Sequence, residues 1–170
     1  MKPMVIWLTG LSGAGKTTIA NNLASELRLD KINPVVLDGD IMRNVLQAQG
    51  FDEMARKSYN YIIGRLAAAL EAEGHLVIVA LIAPYREVRD EIRKMCKQFC
   101  EVYVSTDLET CIQRDPKGLY QQALAGKIED FTGITAPYEA PMNPEIRLNT
   151  SLLSKAECTQ ILIDYIKKYE

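Results

Sequence analysis

Five short apolar runs alternate along the chain with longer segments in which apolar residues recur every three or four positions. The apolar runs predict strands at residues 4–9, 34–38, 76–82, 101–105 and 145–149. All but the last are largely apolar, which is typical of strands covered on both faces. The amphipathic segments predict helices at residues 16–28, 53–73, 86–99, 107–113 and 155–169. This order predicts an α/β fold in which helices flank a mostly parallel five-stranded sheet.

One long segment, from Arg114 to Ile146, fits neither pattern. It is rich in charges, glycines and prolines, and it exceeds the usual length of a connection between elements. We therefore interpret residues 114–146 as a lid that closes over a ligand. The chain has 170 residues, of which 48% are hydrophobic and 25% charged, so we expect one domain spanning residues 1–170.

Residues 10–17 read GLSGAGKT and directly follow the first predicted strand. They match the pattern G-x-x-x-x-G-K-[ST], in which glycines let backbone N–H groups converge on phosphate oxygens. We expect Lys16 to reach the β and γ phosphates of a nucleotide and Thr17 to offer its hydroxyl to Mg²⁺. A flexible Gly/Ser loop is the simpler alternative, but the flanking strand and helix favour ATP binding. The predicted ATP-binding residues here are Gly10, Leu11, Ser12, Gly13, Ala14, Gly15, Lys16, Thr17 and Thr18.

Polar residues also follow the second and third predicted strands, at the edge where parallel sheets bind ligands. Asp38, Asp40 and Arg43 follow the second strand. A carboxylate here can accept the proton of an attacking hydroxyl or organise Mg²⁺. The alternative is an Asx turn with Asp40 as the N-cap of a helix, and both can hold at once. After the third strand, we expect Arg86 to be a ligand candidate and Arg89 to lie on a solvated helix face.

The overall charge argues against several classes of partner. A net charge of −2 and a pI of about 5.6 give no basic field for a nucleic-acid polymer or an anionic membrane. The four cysteines lack zinc-site spacing; Cys96 and Cys100, four apart on a predicted helix, are expected to be free thiols. His75 is expected to be a solvated turn residue. Without a signal-peptide pattern or a membrane-length apolar run, we expect a reduced, cytoplasmic protein.

Several longer motifs closely resemble those of adenylylsulfate kinases. They are WLTGLSGAGKTT, LDGD with Arg43, GF at residues 50–51, APYREVRD, EVYVSTDLETCIQRDPKGLY and FTGITAPYEAP, and they cover nearly the whole chain. Members of this family transfer the γ-phosphate of ATP to the ribose 3′-hydroxyl of adenosine 5′-phosphosulfate. The resemblance implies a P-loop NTPase-type three-layer fold with a lid, ATP as co-substrate, Mg²⁺ and a homodimer.

The resemblance also implies a role for each matching residue. Asp38, Lys16 and Lys117 would be catalytic, with Asp38 as base or, together with Thr17, as a magnesium ligand acting directly or through water. Arg114 would border ATP. Arg43 and Arg56 would clasp the acceptor's 5′ anhydride, and Phe51 and Phe131 would sandwich its base. The complete implied acceptor site is Asp40, Arg43, Phe51, Arg56, Ile82, Ala83, Pro84, Lys117, Gly118, Leu119 and Phe131.

The departures from the family pattern cluster on the acceptor side. Tyr59 stands where the family has an acceptor-contacting Asn, Asn60 is one place off, and Tyr61 and Ile62 replace two arginines. Ala83 replaces a serine. A small related group that phosphorylates the same hydroxyl of cytidine diphosphoramidate, for bacterial capsule decoration, is therefore an alternative. A nucleotide-binding regulatory domain without transfer activity is a second alternative, although the residues that transfer requires are all present.

Overall fold

The computed structural model describes residues 2–169 and contains a five-stranded sheet in the order β2-β3-β1-β4-β5. The strands are β1 (Met4–Thr9), β2 (Val35–Asp38), β3 (Leu76–Ala80), β4 (Phe99–Val104) and β5 (Ile146–Leu148). All four neighbouring pairs are parallel. The sheet is thus entirely parallel, and the prediction of an α/β fold is confirmed.

Helices connect the strands and cover both faces of the sheet. They are α1 (Lys16–Leu29), α2 (Gly39–Val45), α3 (Glu53–Ala72), α4 (Arg86–Met95), α5 (Leu108–Arg114), α6 (Leu119–Leu124) and α7 (Lys155–Lys167). Side chains fix where several of them begin. Asp38, Asp52 and Asp107 accept backbone N–H groups at the starts of α2, α3 and α5, and Ser154 opens α7 with a capping box.

The hydrophobic core has one part on each face of the sheet, because successive strand residues point to opposite faces. Met4, Ile6 and Leu8 of β1 pack in a cluster that includes residues of α1 and α7. Val5 and Trp7 point the other way, into a cluster that includes residues of α3 and α4. This two-sided burial explains why the strands are apolar throughout rather than alternating.

The observed elements differ from the predicted ones in three places. Helix α4 ends at Met95, four residues early, because Cys96 has an extended backbone and β4 already begins at Phe99. Cys96 and Cys100 therefore do not share a helix, although all four cysteines are free thiols. Two short helices, α2 and α6, were not predicted; α6 lies within the segment interpreted as a lid.

The strand register brings the ends of three strands to one edge of the sheet. Ala80 pairs with Leu8 on one side and with Asp38 on the other, so the residues that follow β1, β2 and β3 leave the sheet side by side. Across residues 2–169, no helix is both long enough and apolar enough to span a bilayer.

Candidate active site

The loop between β1 and α1 adopts a conformation that requires glycine. Gly13 and Gly15 have φ angles of 74° and 104°, in the region that side-chain-bearing residues rarely occupy. A Cβ on Gly10 would lie 2.6 Å from the carbonyl oxygen of Val104, so the loop passes directly over the end of β4. Gly15 is the N-cap of α1 and offers no side-chain acceptor, which leaves the first amides of this helix available to an anion.

Lys16 is buried beneath this loop. Its Nζ donates hydrogen bonds to the carbonyl oxygens of Gly10, at 2.9 Å, and Leu11, at 2.7 Å. Burial, which removes the charged amine from water, lowers the pKa of Lys16 to about 8, and the nearby carboxylates of Asp38 and Asp40 offset this only in part. Neutral oxygens thus hold the amine at the centre of the loop. From this position its positive charge would strongly attract an added anion.

Thr17 and Asp38 join the loop to the end of β2. The Thr17 hydroxyl donates to Oδ2 of Asp38 at 2.6 Å, while Oδ1 accepts the backbone N–H groups of Asp40 and Ile41. The N-cap is thus Asp38 and not Asp40 as expected, because the helix already begins at Gly39, and the capping carboxylate is the one beside the phosphate loop. Two oxygen ligands that suit Mg²⁺, the hydroxyl and the carboxylate, lie next to each other.

An ion pair connects the carboxylate of Asp40 to the segment 114–146, whose role as a lid remains a prediction. Lys117 Nζ binds Oδ2 of Asp40, and both side chains are more than half exposed. Gly118 follows with a positive φ of 64° and forms the N-cap of α6, which begins at Leu119. The two exposed partners bring the start of the lid against the start of α2, so Lys117 lies near the Asp38 turn.

Three residues that the sequence reasoning did not select hold the phosphate loop in place. The Tyr120 hydroxyl donates to the carbonyl oxygen of Ser12 at 2.8 Å, and Thr150 Oγ1 donates to that of Ala14 at 2.8 Å. Thr106 Oγ1 is 2.7 Å from Thr150 Oγ1. Thr106 and Thr150 follow β4 and β5, so the rule applied to the first three strand ends would have found them.

Arg114 lies against the same part of the loop. Its guanidinium donates to Thr150 Oγ1 at 2.6 Å and to the Thr150 carbonyl at 2.8 Å. A longer contact of 3.4 Å reaches the carbonyl oxygen of Gly13. Arg114 is exposed and adjoins the phosphate loop, so its position is compatible with a role beside ATP.

On the acceptor side, Arg43 lies between two aromatic rings. Its guanidinium carbon is 4.4 Å from the centre of the Phe51 ring and 4.5 Å from that of the Tyr59 ring. Arg43 Nη1 also donates to the carbonyl oxygens of Ala48 and Gly50. Phe51 is 59% exposed, so one side of this stack faces solvent.

Arg56 and Phe131 occupy a more buried position. Arg56 is 9% exposed and binds the hydroxyl of Thr132. Phe131 is 8% exposed and packs edge-on against Tyr120, with ring centres 5.0 Å apart. The structure thus brings Arg56 to the residue after Phe131, while the Phe131 ring contacts the tyrosine that holds the phosphate loop. Its role in stacking on a nucleobase remains a prediction.

The loop after β3 is fixed by a buried arginine. Ala83 has a φ of 44°, and its carbonyl oxygen accepts a hydrogen bond of 2.6 Å from Arg89. Arg89 also donates to the Glu139 carbonyl and pairs with Glu101 at 2.8 Å, and it is only 1% exposed. The expectation that Arg89 lies on a solvated face is wrong, because these acceptors surround it. They hold the backbone of Ile82, Ala83 and Pro84 near the lid.

Arg86, the ligand candidate after β3, is bound to the lid itself. Its guanidinium donates to the carbonyl oxygen of Ala140, and its backbone N–H donates to Oε2 of Glu139. His75 is exposed, as expected of a turn residue. The predicted residues therefore lie in two places, a connected set at the phosphate loop and a second set on α2, α3 and the segment 114–146; their roles towards ATP and acceptor remain predictions.

Known proteins are similar to this chain in sequence. The family model for adenylylsulphate kinase matches residues 2–149. An adenylyl-sulfate kinase of Bacillus velezensis is 45% identical, with 98% of this chain and 86% of that protein covered. One from Picosynechococcus is 47% identical over 88% of this chain and 85% of its own.

Several solved structures are also similar to this chain in their three-dimensional fold. The Mycobacterium tuberculosis APS kinase CysC, in complex with AMPPNP and APS, superposes with a TM-score of 0.93 at 40% identity, covering 98% of each chain. Shikimate kinase from Acinetobacter baumannii, in complex with shikimate, shares the fold alone, with a TM-score of 0.63 at 18% identity over 100% of this chain and 96% of its own.

Proposed function

Because the chain belongs to the adenylylsulfate kinase family, an ATP-dependent kinase family, we propose that it phosphorylates the ribose 3′-hydroxyl of a 5′-nucleotide anhydride. The first candidate acceptor is adenosine 5′-phosphosulfate, which would yield 3′-phosphoadenosine 5′-phosphosulfate. The observation that supports transfer best is the hydrogen bond of 2.6 Å between Thr17 and Asp38, which places a carboxylate beside the phosphate loop.

The donor half of the site would bind the phosphates of ATP. Gly13, Gly15 and the first turn of α1 supply backbone N–H groups, and Lys16 supplies a buried positive charge. As charge shifts towards the leaving oxygen, Lys16 would exchange its carbonyl partners for phosphate oxygens. Because the amine already lies in a low-dielectric setting, its attraction for the developing charge is large.

Thr17 and Asp38 would hold Mg²⁺, directly or through water. The fit rests on their adjacent hard oxygens, which are the ligand type that this cation prefers. Bound there, the ion would neutralise part of the phosphate charge. We propose no further ligand from the protein, because Mg²⁺ usually retains several waters and binds substrate phosphates as well.

Asp38 would also accept the proton of the attacking hydroxyl. Its Oδ1 is engaged by the backbone amides of Asp40 and Ile41, so the proton would go to Oδ2, which accepts the Thr17 hydroxyl in this structure and would be released when Thr17 binds Mg²⁺. The same two amides orient the carboxylate and limit its rotation. A base held in this way is in place before the acceptor arrives.

The lid would complete the site around the acceptor. Lys117, paired with Asp40 at the edge of α2, would move to the transferred phosphoryl group, and Arg114 would border ATP. Arg43 and Arg56 would bind the anionic 5′ end of the acceptor. The aromatic face of Phe51 and the backbone of Ile82, Ala83 and Pro84 would contact its nucleoside.

One observation favours cytidine diphosphoramidate as a second candidate acceptor. Tyr59 occupies the place of the acceptor-contacting Asn of the family, is 6% exposed, and donates its hydroxyl to the carbonyl oxygen of Gly39 at 2.6 Å. It cannot supply the amide that an Asn would offer. Aromatic stacking alone discriminates poorly between bases, so loss of that contact weakens the case for adenine.

Phosphoryl transfer from ATP to each acceptor, followed by chromatography of the 3′-phosphorylated product, tests the proposal. We expect product from at least one of the two nucleotides and a clear preference in kcat/KM. Tyr59→Asn should raise the ratio of kcat/KM for adenosine 5′-phosphosulfate to kcat/KM for the cytidine compound if the parent prefers the cytidine compound, and change this ratio little otherwise. ATP binding without transfer to either nucleotide would instead support a regulatory domain. The homodimer remains a prediction, which sedimentation would test.

A further inference from the structure

Tyr59 makes two contacts that link the acceptor side of the site to the catalytic turn. The centre of its ring lies 4.5 Å from the guanidinium carbon of Arg43. Its hydroxyl donates to the carbonyl oxygen of Gly39, the residue between Asp38 and Asp40. One side chain of α3 thus contacts both ends of the segment 39–43.

That segment has little else to hold it. Helix α2 has only seven residues, and none of them is buried. Ile41 and Val45 are 63% and 68% exposed, and the apolar contact of this helix with the core is made by Met42, which is only partly buried. The position of α2 therefore depends strongly on a few specific contacts in addition to the packing of Met42.

Gly39 is enclosed between Tyr59 and the strand next to it. A Cβ at Gly39 would lie 2.7 Å from Leu81 Cδ2, which shows how closely the turn approaches the end of β3. On the other side, the Tyr59 hydroxyl binds the carbonyl oxygen. Burial raises the pKa of Tyr59 to about 12, so the hydroxyl keeps its proton and remains a donor at neutral pH.

We propose that Tyr59 is a positioning residue that sets the relative placement of the Asp38 carboxylate and the Arg43 guanidinium, and thereby aligns the acceptor hydroxyl with its base. The proposal rests on the proposed function for the roles of Asp38 and Arg43. Within residues 2–169, Arg43 makes hydrogen bonds only through Nη1, which leaves Nε and Nη2 for an anionic group of the acceptor. Tyr59 itself need not touch the substrate.

Tyr59→Phe separates the two contacts, because it keeps the ring beside Arg43 and removes the hydrogen bond to Gly39. We expect amide hydrogen exchange of the segment 38–45 to speed up at least threefold in the variant without nucleotides. We further expect kcat to fall about three- to tenfold, the range for one lost hydrogen bond, with the KM values for ATP and acceptor within twofold of the parent.

Tyr59→Leu removes the ring as well as the hydroxyl. Because Arg43 then loses one of its two aromatic faces, we expect the acceptor KM to rise at least threefold beyond the effect of Tyr59→Phe, while the KM for ATP stays constant. The matched control is Tyr165→Phe on α7, which also removes a tyrosine hydroxyl with a protein partner. That control should leave both the exchange of segment 38–45 and the kinetics unchanged.

Two results would overturn the proposal. One is unchanged exchange of segment 38–45 in Tyr59→Phe, since the hydroxyl would then not hold the turn. The other is an equal rise of both KM values together with a lowered Tm in both variants, which is what a purely structural tyrosine produces. If the parent transfers phosphate to no acceptor, the proposed function fails, but the exchange measurement still decides whether Tyr59 holds the segment.

Discussion

The donor and acceptor halves of this site are built from different kinds of contact. Around the phosphate loop, Lys16 and Asp38 are both less than 10% exposed and are held by backbone carbonyls, backbone amides and the Thr17 hydroxyl. Around the acceptor, Phe51 is 59% exposed and α2 buries none of its residues. The polar groups around the phosphate loop are thus buried and fixed by the fold, whereas around Arg43 and Phe51 the contacts are more exposed and involve fewer buried residues.

This difference fits what each half must bind. A triphosphate is the same in every member of a nucleotide kinase family, so a rigid set of amides and one lysine serves all of them. An acceptor nucleotide varies, and a short helix held by stacking can be altered at Tyr59 or Arg43 without disturbing the sheet. The departures from the family pattern occur in this second half. Substitutions in the two halves should therefore give separable effects.

The largest effect is expected at the carboxylate that borders both halves. Asp38→Asn keeps the shape and the cap of α2, because Asn is also a good N-cap residue, but it removes the base and its charge. We expect kcat to fall about a thousandfold, within the usual range for a general base, while ATP still binds. Single-turnover kinetics and calorimetric ATP titration measure the two quantities.

Asp107→Asn is the matched control for that variant. Asp107 caps α5 in the same manner, by accepting the N–H of Thr110, and the exchange should leave kcat near the parent value. An Asp38→Asn enzyme with unchanged kcat would show that another group accepts the proton.

Lys16→Ala should have the next largest effect. It removes the buried positive charge that the transferring phosphoryl group would meet in the transition state, so we expect kcat to fall at least about a hundredfold. Because Lys16 is bound only to neutral carbonyls, the variant should still fold. Circular dichroism checks the fold. Near-normal turnover would refute the phosphate-loop mechanism.

Smaller effects are expected for the two phenylalanines assigned to the acceptor, and these effects should differ in whether Tm falls. Phe51→Ala removes an exposed ring, so we expect acceptor binding to weaken by about 1–3 kcal/mol with little change in Tm or in ATP affinity. Phe131→Ala removes a buried ring that supports Tyr120, so acceptor loss should be accompanied by a lower Tm. If Phe131→Ala weakens ATP and acceptor equally, its ring belongs to the fold or the donor half rather than to a clamp.

The sequence was sufficient for the sheet and for the placement of the polar residues that follow β1 and β2. Strands that are apolar throughout predicted a covered parallel sheet, and the order of residues after each strand predicted that Lys16, Thr17 and Asp38 lie together. Helix α2 was missed because it is short and has no buried stripe, so its residues show no helical periodicity. The end of α4 was missed because the apolar positions continue from the helix into β4.

Contacts between distant segments were beyond the reach of the sequence. Arg89 has charged neighbours on its own helix that suggest a solvated face, but its partners are Glu101 and backbone oxygens of the lid and the loop after β3. Tyr59 reads as a core residue of α3, and nothing local indicates that its hydroxyl reaches Gly39, 20 positions earlier. Such contacts depend on how the elements pack, which periodicity does not encode.

The smallest predicted effect is the pH dependence of stability that the buried charge of Lys16 causes. Burial lowers the pKa of Lys16 to about 8, against 10.5 for a free lysine, so the folded state binds its proton less tightly than the unfolded state does. Below pH 8 both states are protonated and the folded state carries the full cost of the buried charge. As the pH rises through 8 the folded state loses its proton first, so this cost is relieved.

Parent stability should therefore increase by about 1 kcal/mol between pH 7 and pH 9 relative to Lys16→Met. Urea unfolding at several pH values measures the difference. Arg43→Met is the control from the acceptor half, because arginine does not titrate in this range, and its difference from the parent should stay flat. If the difference in free energy of unfolding between the parent and Lys16→Met also stays constant with pH, Lys16 has an ordinary pKa. Burial at the phosphate loop would then not destabilise the charge of Lys16, and the two halves of the site would not differ in this respect.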